Sequence, residues 1–130
     1  MTIEETLYTR LTTYTGVSDL VGTRVYPNVK PQDATLPALT FRCVSSPRYS
    51  AMGVDVDVVK ARYQIDVWAD TYAAAIALRD QTLAAMRRWR NTSPGTVVQD
   101  TFIINGGTDL YEDNTRQQHI AIDVEINYVE

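Results

Sequence analysis

The sequence predicts an α+β domain, an antiparallel sheet of about four strands with two main helices packed on one face. Three observations predict it. Ile3, Leu7 and Leu11 stand four residues apart, the spacing of a narrow apolar stripe on a helix. From Gln118 to Tyr128, Ile120, Ile122, Val124, Ile126 and Tyr128 alternate with His119, Ala121, Asp123, Glu125 and Asn127, the period of a strand with one buried face and one wet, acidic face. Between these ends the segments run helix, two strands, helix, two or three strands, without internal repeats or a linker. At 130 residues, with 45% hydrophobic and 22% charged side chains, the chain is expected to be a single domain, 1–130, with a core that needs no staple.

Each element has its own signal. The first helix is predicted from Thr2 to about Thr15, with Thr2 and Glu5 as a capping box and Gly16 as the C-cap; "VSDLVG" adds a further helical turn stopped by Gly22. Arg24 to Tyr26 reads as a short extended piece, followed by a crossing that holds Pro27, Pro31 and Pro37. Leu39 to Val44 is a strand with Leu39, Phe41 and Cys43 on one face. A long extended stretch from Val54 to Trp68 changes apolar parity between Val58 and Val59, which predicts a bulge or break there. It divides a core strand from a preceding β-arm or loop, reached through "SSPRYSAMG". The second main helix is predicted from an Asp70 cap to about Arg90, with Tyr72, Ala75, Ile76, Leu83 and Met86 on its apolar face and Arg79 in the middle of that face. Arg79 is expected either to snorkel its stem or to pair with an acid across an interface. Thr96 to Ile104 is a third strand halted by Asn105, Gly106 and Gly107, and "EDNT" is a polar bend before the last strand.

The charge is uneven. Residues 1–99 hold eleven Arg or Lys against nine Asp or Glu, whereas 100–130 hold seven acids against Arg116 alone. General nucleic-acid binding needs clustered cations, so this balance argues against it. The one basic cluster, Arg87, Arg88 and Arg90, is expected in the last turn of a helix, where cations favour the dipole, with a partner-binding role as the alternative. No stretch is apolar enough to span a bilayer, and the acidic N-terminus does not resemble a secretory signal, so a cytoplasmic product without membrane contact is expected. A single cysteine, Cys43, and a single histidine, His119, give no basis for a disulfide or a metal site. Nothing local orients His119 as a base, since Asp123 on its strand face is about 13 Å away. Asp55 and Asp57 share a strand face but have no apolar pocket around them. Without a phosphate loop or nucleophile motif, neither an enzyme nor a cofactor is expected.

The proline-rich crossing supplies what composition does not. Arg24, Val25, Tyr26 and Pro27, then Pro31 with Gln32, then Leu36 with Pro37 before an apolar strand, together resemble the tail completion family of long-tailed bacteriophages, the tail terminator or head-to-tail joining proteins. The likeness continues through "SDLVGTR", a loop with Gly53, "ARYQIDVWADTY", the "YAAAIALRDQTLAAM" helix and a last alternating strand that ends in an aromatic residue. It implies a structural virion protein of the tail that assembles as a homo-oligomeric, typically hexameric ring on the head-proximal end of the tail tube. Such a ring stops tube polymerisation, meets the tail tube protein and the head connector or stopper protein, and leaves a channel through which DNA passes without specific binding. An adaptor or stopper ring of the same junction is the alternative, and a small ligand-binding or enzymatic domain the more distant one. In that frame Arg48, Tyr49, Met52, Gly53, Val54, Asp55, Val56 and Asp57 of the arm, with Arg79, are the expected inter-subunit or tube contacts. Asp123 and Glu125 are expected to face the channel.

Overall fold

A computed structural model describes residues 2–31, 33–51, 54–92, 95–112 and 117–130; residues 49–51, 54–57 and 112 are described by backbone alone. The elements are α1 (Ile3–Thr13), α2 (Thr15–Val21), β1 (Val25–Pro27), β2 (Ala38–Ser45), β3 (Arg48–Ala51), β4 (Val54–Ala69), α3 (Tyr72–Met86), β5 (Val97–Glu112) and β6 (Gln117–Val129). Five strands lie side by side in the order β1-β2-β4-β6-β5, and β3 adds to the free flank of β4. The sheet is therefore α+β as expected but mixed, because β1 runs parallel to β2 through Val25↔Leu39, Tyr26↔Thr40 and Pro27↔Phe41. Three helices cover one face where two were expected.

The core lies between that face and the helices. Leu7 and Leu11 of α1, Val17 and Val21 of α2, and Leu78 and Met86 of α3 are fully buried against Leu39, Ile65, Ile122 and Ile126 of the sheet. Each such side chain contributes about 1.5–3 kcal/mol by leaving water. The stripe on α1 is the predicted one; on α3 the buried line is Ala75, Leu78, Thr82, Ala85 and Met86, while Tyr72 is half exposed. On β2, Leu39 and Phe41 are buried but Cys43 is exposed, because the burial of the strand stops at Phe41.

Helix ends follow local hydrogen bonding. The Glu5 amide donates to Thr2 Oγ1 at 3.2 Å, and that hydroxyl donates to Glu5 Oε1 at 3.2 Å, so the predicted cap forms with the hydroxyl in place of the backbone amide. Gly16 is not a C-cap. The chain turns at Tyr14 and starts α2, and Gly16 lies inside it, where a Cβ would collide with the Gln81 side chain of α3. Gly22, at φ 60°, ends α2 as expected. The cap of α3 is Thr71, not Asp70, since the Thr71 hydroxyl accepts from the Ala74 amide at 3.2 Å. The same helix stops at Met86, four residues earlier than Arg90, because the chain turns to bury Trp89: Arg88 takes φ 55° and its amide donates to the Thr101 carbonyl at 3.0 Å.

Strand irregularities lie elsewhere than expected. β4 passes Val58 and Val59 without a break in its register with β6 (Val58↔Val129, Val59↔Tyr128). The shift falls on the opposite flank, where Arg48↔Val59 is followed by Ser50↔Asp55 in the pairing with β3. N-terminal to Val58 the strand has no β6 partner, so the core no longer dictates which parity is apolar. β5 continues through Asn105, Gly106 and Gly107 as bulges between Ile103/Asn105 and Asn105/Thr108. The glycine is needed for close approach: a Cβ on Gly107 would come within 3.1 Å of both Arg79 Cδ and Ile120 Cγ2. The "EDNT" bend lies largely outside the described residues.

The proline crossing is held by Arg24. Its Nε donates to the Pro37 carbonyl at 3.0 Å and its Nη2 to the Leu20 carbonyl at 3.0 Å, while the Arg24 carbonyl accepts from the Leu39 amide at 3.0 Å. One side chain thus joins the end of α2 to the start of β2 across a segment without regular structure. Arg24→Ala is expected to lower stability by about 2 kcal/mol, with Arg24→Lys recovering only part of it, as measured by urea unfolding.

Candidate functional site

The sheet face without helices carries the polar half of each strand's alternation. Across β2, β4, β6 and β5 the register aligns Arg42, Gln64, Asp123 and Asn105, and then Thr40, Asp66, Ala121 and Thr108. Asp66 is 7% exposed and His119 8%, although no helix covers them. His119 Nε2 lies 3.1 Å from Asp66 Oδ1, Gln64 Nε2 donates to the same oxygen at 2.8 Å, and the Thr40 hydroxyl reaches Oδ2 at 3.5 Å. Trp68 stacks on His119 with ring centroids 3.9 Å apart, donates from Nε1 to Thr40 Oγ1 at 3.1 Å, and has Lys30 Nζ 5.1 Å from its ring centroid. The histidine therefore does have an orienting carboxylate. It comes from the neighbouring strand, which spacing along a single strand could not reveal.

The hydroxyl beside this pair, that of Thr40, is turned to Asp66 Oδ2 and accepts from Trp68 Nε1. Burial pushes the Asp66 carboxyl up, and the hydrogen bonds from His119 and Gln64 outweigh that, leaving it below the usual carboxylate range. Its surroundings are those of a buried structural ion cluster on a sheet, not of an acid poised near neutrality. Among the described residues no group of three or more His, Cys, Asp and Glu could hold a metal ion, and no helix is long and apolar enough to cross a membrane.

The expected channel residues, Asp123 and Glu125, both fall on this face and are half-buried. They are not an unbroken acidic strip. Arg62 Nη2 bonds Asp123 Oδ2 at 3.2 Å, Arg62 is the register partner of Glu125, and Lys60 is that of Asn127. The face balances its charge strand by strand.

Of the expected contact residues, the arm brings most together. β3 and the first residues of β4 form a hairpin, with Ala51↔Val54 and Ser50↔Asp55 paired, beyond the last β6 partner of β4. Met52 and Gly53 lie outside the described residues. Tyr49, Val54, Asp55, Val56 and Asp57 are placed in the two strands by their backbone. Arg48 sits at the base, where its Nη2 is 2.6 Å from Glu130 Oε1 and its Nη1 donates to the Ser46 carbonyl at 3.2 Å. The carboxylate holds the Arg48 guanidinium above its ordinary value, and Arg48 holds Glu130 below its own. Arg79 does not join the arm. Its stem lies over Gly107 and its guanidinium bonds Asp80 Oδ1 at 2.8 Å, which is the snorkelling alternative.

The basic cluster is placed differently from the expectation. Arg87 caps α3 through its amide, and Arg88 and Arg90 follow the helix, so none stands in its last turn. Arg88 Nη2 pairs with Asp100 Oδ2 at 2.6 Å and lies 4.8 Å from the Phe102 ring centroid, while Arg90 is 3.8 Å from the same carboxylate.

The lowered carboxyl of Asp66 fixes the sign of one pH effect. Its stabilisation is complete above the unfolded value of about 3.9 and is lost as pH falls through the lower folded value. Asp66→Asn is expected to cost about 1–3 kcal/mol at pH 7. The difference from wild type should shrink below about pH 4; urea unfolding of both proteins at pH 7 and pH 3 measures it.

Comparison with known proteins bears on the same geometry. No curated protein matches the chain. Its fold is similar to that of a chain in the virion of a native gene transfer agent particle, with TM-score 0.71 and 16% identity, covering 95% of this chain and 92% of that one. The family model for Tail completion protein gp17 matches residues 5–128. That match spans nearly the whole length, so the chain belongs to the tail completion family, a family of structural phage tail proteins and not of enzymes.

Proposed function

We propose that this protein closes the head-proximal end of the tail tube as a ring, expected to be hexameric, which halts tube polymerisation and docks onto the head connector. The observation that carries this reading is the hairpin of β3 and early β4, which leaves the sheet beyond Val58↔Val129. A two-stranded ribbon is marginal in isolation, so it gains most when a neighbouring subunit or the tube protein packs against it. Family membership supplies the setting.

The helix-free face suits the wall of a channel. DNA passing along Asp123 and Glu125 would meet acids beside Arg62, which bonds Asp123 and stands opposite Glu125, a surface that neither grips phosphate nor repels it strongly. Arg79, tied to Asp80 on the helical side, lays its stem over Gly107 of β5.

A phage that lacks this chain is expected to make overlong tails that remain separate from heads, as seen in negatively stained lysates. Tails of normal length beside leaking, DNA-filled heads would instead assign the chain to the stopper ring of the connector.

A further inference from the structure

The arginines after α3 are built as a surface feature. Arg88 adopts φ 55°, a left-handed conformation that a side chain other than glycine takes at a cost, and Trp89 beside it is buried like a peg. The turn so formed leaves Arg87 and Arg90 outside, the Arg90 side chain 66% exposed. Arg10 of α1 lies across a groove of about 230 Å³ bordered by Trp89 and Arg90, its Nε held by the Ala85 carbonyl at 2.9 Å. Asp100 takes Arg88 at 2.6 Å and stands 3.8 Å from Arg90, while Arg87 is exposed beside them. In a chain of net charge -4, this is the concentrated positive surface.

A complementary segment exists on the same chain. The strand of the arm reads Val54-Asp55-Val56-Asp57-Val58, with alternate residues acidic. The two features stand at the same end of the sheet. The arm leaves from the row Val58↔Val129↔Val97, and the arginine segment pairs with β5 one residue on, at Asn91↔Val98. They stand on opposite flanks, since from β3 to Asn91 the order is β3, β4, β6, β5, Asn91. The acidic strand belongs to β4, so three strand spacings put it about 14 Å from the Asn91 segment, too far for the two to meet within one subunit. A cyclic ring whose axis runs along the strands keeps every subunit at one height and sets the arm flank of each against the β5 flank of the next. Both features lie toward one end of the sheet on opposite flanks, the arm running past the Val58↔Val129 row and the arginines standing level with Asp100 and Thr101, an arrangement that a head-to-tail contact between copies can use.

We propose that Arg87 and Arg90 receive the acidic strand of the arm, Val54 to Val58, from a neighbouring copy of this chain. The inference rests on the ring reading, and the test separates the two. Sedimentation velocity of the full chain at increasing concentration and at two salt concentrations measures self-association. Arg87→Glu with Arg90→Glu, and separately Asp55→Arg with Asp57→Arg, should each weaken assembly at least about tenfold. An equimolar mixture of the two variants can restore only mixed contacts, whereas one chain carrying all four reversals should recover most of the affinity. Added salt should weaken wild-type assembly. Both arginines are exposed, and unchanged melting temperatures would show that the variants fold; if the reversed pair does not, Arg87→Ala with Arg90→Ala replaces it. Wild-type assembly that is indifferent to these changes, or that the fourfold reversal does not recover, overturns this contact and leaves the ring standing. A wild-type chain that stays monomeric throughout overturns both.

Discussion

The pairing of β4 with β6, continuous from Val58↔Val129 to Ala69↔Gln118, is the interaction on which the other elements depend. It aligns Val59, Ala61, Tyr63, Ile65 and Val67 with Tyr128, Ile126, Val124, Ile122 and Ile120, so that every second residue of both strands faces the helices. A slip of one residue would turn this apolar set to the polar side and bury Arg62, Gln64 and Asp123. The register therefore fixes both faces at once. It also determines where β4 outruns its partner, and hence where the arm begins.

From that centre the sheet is completed by different means on its two sides. On one side β2 pairs antiparallel with β4, and β1 is held parallel to β2 by the contacts of Arg24 with the Leu20 and Pro37 carbonyls. On the other, β5 takes the long edge of β6, and Trp89 anchors the chain that leaves α3 against it, with Thr101 Oγ1 donating to the Trp89 carbonyl at 3.0 Å. Burial of that one indole both ends α3 and orients the arginines around it. The buried Asp66 and His119 do comparable work on the helix-free face, where an unpaired carboxylate would cost several kcal/mol.

What could be read from the sequence was what repeats. The stripe of Ile3, Leu7 and Leu11 and the alternation from Ile120 to Tyr128 each bury several residues against one neighbouring surface, so their period declares the element. The ordered Arg24 to Pro37 motif also carried the family, and the structure gives Arg24 and Pro37 a direct bond. What could not be read depends on single long-range partners. Asp66 and His119 are far apart in sequence, and their meeting follows only from strand register. The early end of α3 depends on where Trp89 finds its pocket, and of the glycines taken for a turn, Gly107 is instead room for the Arg79 stem under α3. The place of the arm was legible through the parity change before Val59, where β4 outruns β6, while the turn that displaces Arg87, Arg88 and Arg90 from the helix end depends on the burial of Trp89 and was not.

The bulges of β5 have a consequence for growth. Two added residues between Ile103 and Thr108 put the outward amides and carbonyls of this flank out of step, at a place where Ile104 and Leu110 are about half exposed. A straight run of the same length would be a template for any extended chain, and copies stacking edge to edge would have no reason to stop. With its ladder broken, this flank withholds main-chain pairing and leaves recognition to side chains, whose geometry has to match. The difference is that between a filament, which counts nothing, and a closed assembly, which must count its members.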